Sequence, residues 1–293
     1  MKMIVRGGLA AMSVAVAVAA MGLATSATAA AACDRACLNG IMQRYLSALA
    51  KHDAKGLPLS PKLEALENAL PVKAGEGAWA QISKVHPGLM FTDPAAGGVV
   101  YGGAVDGPDG LASLFVRLKV TGGRITQSEI IFNHGKPGGV FAPANLLEPD
   151  LIYEAVAPPS RRSTRKEMIA LVDGYMEAIS RHDGSLTKFN YRCDRYASGA
   201  KTTNNPKFGT GGSGSCADSF KGLTGDVTVG RRFPVVDEQK GVVVGMFLIP
   251  HSERPPGSTL YVGEMFKIVD GKIRSIEEFS TAAVFPPKPV FVP

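Results

Sequence analysis

The amino-acid sequence contains one pattern twice. Residues 41–53 contain Tyr45, Ala48, His52 and Asp53. Residues 171–183 contain the same residue types at the same spacing, as Tyr175, Ala178, His182 and Asp183. Further matched segments follow, namely 98–102 with 241–245, 123–125 with 271–273, and 140–143 with 284–287. Such internal similarity predicts two copies of one structural unit, which limits the possible folds more than composition does.

The distance between matched residues grows along the chain, so the second copy carries two insertions. They fall at 199–215, which is rich in Gly, Thr and Asn, and at 251–257, and both compositions are typical of loops. The length of 293 residues also agrees with two domains of about 150 residues each. We expect a first domain at 30–145, a linker at 146–163 and a second domain at 164–293.

Residues 1–29 are typical of a secretory signal peptide. Lys2 and Arg6 precede an apolar run, and Ala27-Thr28-Ala29 is a small-residue cleavage site. No later apolar run approaches the ~20 residues that span a membrane. The mature chain is therefore expected to be secreted or periplasmic. As an alternative, Cys33 is the attachment site of a lipoprotein anchor.

The charge and motif content exclude several classes of function. The net charge of +6 is scattered apart from a basic cluster at 161–166, whereas nucleic-acid binding needs a basic stripe with interleaved aromatic residues. The sequence has no Gly-x-Ser-x-Gly, phosphate-loop, His-Glu-x-x-His or dinucleotide motif. We therefore expect no nucleic-acid partner.

The four cysteines are an even number in an oxidising compartment, which favours two disulfides. A Cys193–Cys216 bond would tie the long insertion to its strand, and Cys33 and Cys37 would then form the second pair. A bond between residues four apart in one helix is awkward. A zinc site is the alternative, although the spacing lacks paired Cys-x-x-Cys motifs.

Hydrophobic periodicity predicts an α+β fold. Asp34 is a candidate cap for a helix over 36–52, and Thr164-x-x-Glu167 is a capping-box pattern that begins a helix reaching His182. Each helix precedes a mainly antiparallel set of strands. The predicted strands are 97–105, 111–121 and 124–133 in the first copy, and 186–196, 233–237, 241–249, 260–269 and 272–280 in the second.

The helix ending in His-Asp, followed by a final hairpin of the form Gly-Lys/Arg-Ile-x-x-x-Glu, resembles the nuclear transport factor 2-like family. This family includes ketosteroid isomerase, scytalone dehydratase and SnoaL-like cyclases. The resemblance covers 36–133 and 164–281, and it extends to secreted proteins with two such units. It implies two tandem cone-shaped domains, each with its N-terminal helix packed on a curved sheet around an apolar pocket.

The same resemblance implies what the chain does and how it assembles. Cones commonly pair through their outer sheet faces, so we expect a monomer that contains an internal pseudo-dimer. The implied activity is cofactor-free proton transfer on a small, partly apolar molecule, by an isomerase, dehydratase or lyase. The alternative is a non-catalytic module that binds a small molecule or a partner.

Two glutamates on the last strand of each copy are candidate catalytic residues. Glu129 is expected on one strand face with Ile125, Ile131 and the candidate ligand-binding residue Asn133, and Glu277 is its counterpart. A carboxyl group among apolar neighbours can have a pKa near neutrality and serve as acid or base. A structural ion pair with Arg117 or Arg195 is the alternative.

Polar residues present in only one copy are further candidates. In the second copy Arg195 is expected to share its strand face with Tyr191, near Asp237, while Glu264 replaces an apolar residue. Because burying a charge alone is costly, Arg195 and Glu264 need partners. Arg195 and Tyr191 are candidates for binding and polarising an oxygenated substrate, with Glu264 and Asp237 as candidate catalytic residues. A buried structural ion pair of Arg195 is the alternative.

In the first copy the unmatched polar and aromatic residues are Glu67, Asn68, Trp79, Asp93 and His134. An Asn–His–carboxylate group could shuttle a proton while Trp79 walls the pocket. A solvated His134 in its glycine-rich loop is the alternative. Asp93 stands one position out of register with Asp237 in the sequence alignment, which leaves open whether it belongs to a shared scaffold.

Overall fold

A computed structural model of the chain describes Met1, Met3 and residues 33–208, 214–223, 227–250 and 258–284. The chain divides into two compact units, 1–31 and 32–293, and the described helices and strands belong to the second. The expected signal peptide, apart from two methionines, and the insertion at 251–257 lie outside the described residues. No helix in the described part is long and apolar enough to cross a membrane.

Two α-helices and two sheets make up most of the described structure. The helices are α1, Arg35–Ala50, and α2, Arg165–Arg181. The first sheet contains β1 (Leu59–Glu67), β2 (Leu70–Pro71), β3 (Lys84–Val85), β4 (Leu89–Asp93), β5 (Gly98–Gly107), β6 (Gly110–Thr121) and β7 (Arg124–Asn133). The second contains β8 (Phe189–Ala197), β9 (Ala200–Lys201), β10 (Val229–Asp237), β11 (Val242–Pro250), β12 (Ser258–Val269) and β13 (Lys272–Val284).

Both sheets are mostly antiparallel, as the predicted α+β fold requires. The strand order is β2-β1-β7-β6-β5-β3 in the first sheet, where β4 also pairs with β5, and β10-β11-β12-β13-β8-β9 in the second. The exception in each sheet is its first strand, because β1 pairs parallel to β7 and β8 pairs parallel to β13. The strands predicted from the sequence do not include β1.

The predicted helix caps are confirmed. The Asp34 side chain accepts a hydrogen bond from the Cys37 N–H at 2.8 Å. Thr164 and Glu167 form a reciprocal capping box at the start of α2. These bonds satisfy N–H groups that have no partner within the helix, which is why short polar residues mark the helix starts so reliably.

The structure corrects the alignment of the two copies by one residue. Gly97, rather than Gly98, matches Gly241, because both have left-handed backbones with φ near 60°. Their carbonyls accept matching 2.8 Å hydrogen bonds from Val120 and Ile268. The corrected register also brings Asp93 and Asp237 to matching positions at the ends of β4 and β10.

The last hairpin of each copy contains the same irregularity. The pairing of β6 with β7 shifts between Lys119 and Val120, and that of β12 with β13 shifts at the matching place. The expected single face from Ile125 to Asn133 is therefore wrong at its start. Ile125 packs in the cluster beneath α1, whereas Ile131 packs between the sheets, because an extra residue in a strand reverses the side-chain alternation.

Three apolar clusters occupy the described part of the chain. One joins α1 to the first sheet and another joins α2 to the second sheet, through Tyr45 and Tyr175 respectively. The third lies between the sheets and combines residues of both, including Phe91, Phe115 and Phe279. The two sheets are thus held together by apolar burial, with one helix on each outer side.

Two ion pairs connect the copies reciprocally. Arg35 at the start of α1 contacts Asp237 of the second copy through bonds of 2.6 and 2.8 Å, and Arg165 at the start of α2 contacts Asp93 of the first. Each aspartate also accepts a backbone N–H from the other copy. When residue i of one copy contacts residue j of the other, and residue j of the first contacts residue i of the second, the copies are related by a two-fold axis.

Both expected disulfides are present, as Cys33–Cys37 and Cys193–Cys216. The second joins β8 to the end of the long insertion, as the sequence predicts. In the first, the Cys33 sulfur is bonded to Cys37 at the start of α1. Two disulfides agree with an oxidising environment outside the cytoplasm.

Candidate functional site

Glu129 and Glu277 occupy matching positions in the two sheets. Glu129 of β7 lies opposite Arg117 of β6, and Glu277 of β13 lies opposite Met265 of β12. The matched irregularity in both hairpins places each glutamate after the same reversal of faces. The two side chains can therefore be compared directly, and their surroundings differ.

Glu129 is fully buried in an ion-pair cluster that joins the two sheets. Arg232 donates to its two oxygens at 3.0 and 2.8 Å, Arg117 donates at 2.9 Å, and the Tyr261 hydroxyl donates at 2.5 Å. Burial raises the pKa of a carboxyl group, but the bonds and charges of Arg232 and the charge of Arg117 hold the Glu129 pKa below its usual value. The expected pairing with Arg117 is present, and a carboxylate bound in this way is a weak base.

The partners of Glu129 are replaced around Glu277. Strand pairing identifies the substituted positions: Arg117 corresponds to Met265, Arg232 to Leu89 and Tyr261 to Ser113. Two cations and a hydroxyl-bearing ring thus give way to two apolar side chains and a small hydroxyl. Ser113 donates to Ser198 at 3.3 Å instead of to the glutamate.

Glu277 consequently keeps one hydrogen bond from the described residues. The Gly199 N–H donates to its Oε1 at 3.0 Å, and Oε2 receives no bond from the described part of the chain. Glu277 is only 8% exposed. Burial raises the Glu277 pKa to about 8, because the Gly199 N–H and the nearby charge of Arg195 only partly offset the loss of hydration.

A cavity of about 330 Å³ lies against Glu277. Its walls include Leu89 of β4, Tyr196 of β8, Asn145 and the linker residue Asp150. Asn145 and Asp150 are exposed, so the cavity reaches solvent on the linker side. Both copies and the linker therefore build this one site.

A second polar cluster lies beneath α2. Arg195 donates to Tyr175 at 3.0 Å, to Thr202 at 3.1 Å and to Glu264 at 3.2 Å, and it also contacts Glu278. Tyr175 in turn donates to Glu264 at 3.2 Å. The expected Arg195–Glu264 pair is therefore present, and its further partner is Glu278.

The carboxyl group of Glu264 is the most deeply buried part of this cluster. Burial raises its pKa, and the charge of Arg195 and the bond from Tyr175 lower it by less. Its Oε2 atom is buried and has no hydrogen-bond partner among the described residues. The groups of this cluster are bonded to one another, and the cavity at Glu277 is not lined by any of them.

Two residues expected beside Arg195 lie elsewhere. The Tyr191 residue is 84% exposed and its ring contacts the Arg192 guanidinium, because pairing of β8 with β13 is irregular between Phe189 and Asp194. The strand-face prediction for Tyr191 is wrong for this reason. Asp237 is buried and bonded to Arg35, so it does not stand opposite Arg195.

The candidates of the first copy fall at two places. Asn68, Asn133 and His134 line an open groove of about 550 Å³. The Asn68 side chain donates to the Phe132 carbonyl and accepts from the Phe132 N–H, so it continues the hydrogen bonding of the sheet. His134 is half exposed and lies 3.4 Å from Asp109.

Trp79 lies in the core beneath α1, away from this groove's lining. It is 1% exposed and meets Tyr45 edge to face at a centroid distance of 5.0 Å. Its carbonyl contacts the His52 ring. Trp79 therefore fills the space that the sequence analysis assigned to a pocket.

Sequence reasoning missed Arg232, Tyr261, Glu278, Leu89 and Tyr196 as parts of these sites. The signal was available in a comparison of matched positions between copies, which shows cations around one glutamate and apolar residues around the other. The comparison needs the correct strand register, because an error of one residue moves every side chain to the opposite face.

The described residues contain no group of His, Cys, Asp and Glu side chains suited to holding a metal ion.

A family model described as Domain of unknown function (DUF8021) matches residues 161–280. The comparison with curated proteins gives no match. Among solved structures, AusH from Aspergillus nidulans aligns with this chain at 16% identity, over 36% of this chain and 89% of AusH. The TM-score of 0.28 is too low to show a shared fold. The family match thus covers the second copy, which contains Glu277.

Proposed function

We propose that the chain is an extracytoplasmic protein that binds a small molecule in the cavity at Glu277. The observation that carries this proposal is a buried carboxyl group, with one oxygen left unbonded by the described residues, at the wall of a cavity of about 330 Å³. Pockets of ~300–1,000 Å³ with a few convergent polar groups are typical of small-molecule sites. Apolar surface from Leu89 and Leu146 supplements the polar groups.

In this proposal each copy is a nuclear transport factor 2-like cone, and the two cones form a pseudo-dimer within one chain. The apolar cluster between the sheets and the reciprocal pairs of Arg35 with Asp237 and Arg165 with Asp93 support this arrangement. Since the sheet faces are already buried against each other, we expect a monomer. The ligand site then lies between the cones.

The spaces beneath the two helices support the same choice of site. Tyr45 and Trp79 fill the first, and Tyr175, Phe220 and Phe266 pack edge to face in the second. These rings are nearly fully buried. A ligand there would have to displace aromatic side chains that each contribute several kcal/mol to the core, about 3–5 for a large ring.

A second candidate function is proton transfer, as in an isomerase, dehydratase or lyase, with Glu277 as acid and base. The specific observation is the Glu277 pKa of about 8, because a general acid or base works best when its pKa is close to the working pH. Glu129 is less suited, since its pKa is lowered and both oxygens are bonded.

A fragment screen by crystal soaking of residues 30–293 would test the proposal. Fragments are expected in the Glu277 cavity, and ligands found only in the groove at His134 would contradict it. Exchange of ligand C–H protons in D₂O, followed by NMR, then separates the two functions. Exchange that is lost in Glu277→Gln supports proton transfer, and tight binding without exchange supports a binding protein.

A further inference from the structure

We propose that the ligand of the Glu277 cavity carries a cationic group, a guanidinium or a primary ammonium, which Glu277 binds as Glu129 binds Arg232. This inference rests on the proposed function and names the chemical class of its ligand. The first copy shows what a glutamate at this position of the fold binds when its partners are supplied by the protein.

The two-fold relation between the copies carries the argument. The carboxylate is present at both matched positions, and the cations are present at one. Where Arg232 reaches Glu129, the shorter Leu89 stands at the matching place and lines the cavity. The cavity therefore occupies space beside Glu277 where the other cluster has a guanidinium.

The charge around the cavity favours the same ligand. Three carboxyl groups, those of Glu148, Asp150 and Glu277, line it, and among the described residues no basic side chain does. This is a local property, because the whole sequence carries a net charge of +6. Acidic walls attract cations and repel anions.

The remaining wall suits an apolar or aromatic body attached to the cation. Leu89, Leu146 and the half-buried Tyr196 ring provide it. In the first cluster the guanidinium of Arg232 lies 3.5 Å from the Tyr261 hydroxyl, so a cation and a ring share the space beside the carboxylate. Benzylguanidinium reproduces both features in one small molecule.

Binding should depend on pH in a defined direction. The groups near Glu277 are Glu148, Asp150, Tyr196 and Tyr153, together with the Arg195 charge. With a pKa of about 8, Glu277 is protonated at neutral pH and must release its proton to pair with a cation. Affinity should therefore rise up to tenfold per pH unit toward pH ~8 and then level off.

Isothermal titration of residues 30–293 with benzylguanidinium, and with its neutral isostere benzylurea, tests the inference. At about pH 8.5 the cation is expected to bind at least ~10-fold more tightly than the urea. Titrations in two buffers of different ionisation enthalpy should show release of up to one proton at neutral pH. Glu277→Gln should remove the preference and the proton release, whereas Glu76→Gln, an exposed charge-matched control, should keep both.

Leu89→Arg provides a second, independent variant. The introduced guanidinium should pair with Glu277 and abolish benzylguanidinium binding in a chain whose folding is checked by circular dichroism. If benzylurea or phenylacetate binds as tightly as the cation, and Leu89→Arg still blocks it, the charge inference fails and the proposed site stands. If none of the three compounds binds, the inference is overturned, and an empty cavity in the fragment screen would overturn the proposed function separately.

Discussion

Glu129 and Glu277 stand at the same position of two copies of one fold, and they show two ways of burying a carboxylate. Glu129 is bonded by two arginines and a tyrosine, and its pKa is lowered. Glu277 has one backbone donor and a cavity, and its pKa is raised to about 8. The strand pairing is the same at both places, so the different neighbouring groups determine whether the carboxyl group joins the sheets or faces a cavity.

The largest loss of stability is expected when the surroundings of Glu129 are made to resemble those of Glu277. Arg232→Leu removes the bidentate partner of a fully buried carboxylate, and breaking such a pair costs about 3–5 kcal/mol. Urea denaturation should show this loss. Arg231→Leu is the control, because Arg231 pairs with partly exposed acids and its loss should cost about 1 kcal/mol at most. Equal losses would contradict the structural role of Glu129.

The next largest loss of stability is expected when the disulfide that closes the insertion of the second copy is removed. Replacing Cys193 and Cys216 by serine frees a segment closed over a sequence separation of 23, at a cost of about 3 kcal/mol. Replacing Cys33 and Cys37, separated by four residues, should cost less, about 2 kcal/mol. Thermal unfolding of both double variants checks the order, and the reverse order would show that the insertion contributes little to stability.

Removing the charge of Glu277 should stabilise the chain at high pH. Because folding raises the Glu277 pKa to about 8, its stabilising contribution is complete below the unfolded pKa of ~4.3 and is lost as pH rises through 8. Glu277→Gln should therefore exceed wild type by about 1–3 kcal/mol near pH 8.5, the usual cost of a poorly satisfied buried group. Urea denaturation at pH 4.5 and 8.5 measures this, and a pH-independent difference would contradict the raised pKa.

The smallest expected effect tests the two-fold relation itself. Arg35→Met and Arg165→Met break the reciprocal bonds to Asp237 and Asp93, and both arginines are about one-third exposed. Each should cost about 1–3 kcal/mol, and the two costs should agree within roughly 0.5 kcal/mol because their surroundings match. A clearly larger difference would show that only one of the two pairs supports the interface.

Local patterns predicted much of the fold. Asp34 and the Thr164–Glu167 box mark the helix starts, and alternating apolar residues located β5, β6, β7 and β13 to within a few residues. These signals are local because a cap or a strand face depends on neighbours in sequence. β1 was missed, since its pairing with β7 is parallel and shifts register between Leu59 and Glu64. Its apolar residues Leu63 and Leu66 pack in different clusters.

The candidate site was predicted in part. Glu277 was identified as a buried acid, and the pairs Arg117–Glu129 and Arg195–Glu264 were anticipated. The partners from the opposite copy were not, because Arg232 lies 103 residues from Glu129 in sequence and no local pattern connects them. The unequal surroundings of the two glutamates became visible only when strand pairing gave the register.

The sequence by itself determined the duplication, the α+β class, both disulfides and the residues able to carry charge. These follow from composition and from residue spacing along the chain. The tertiary structure decided which charges meet, because the two sheets bring together residues from opposite copies. It also decided that Glu277 faces a cavity, since a missing guanidinium leaves space only where the opposite copy supplies Leu89 in place of Arg232.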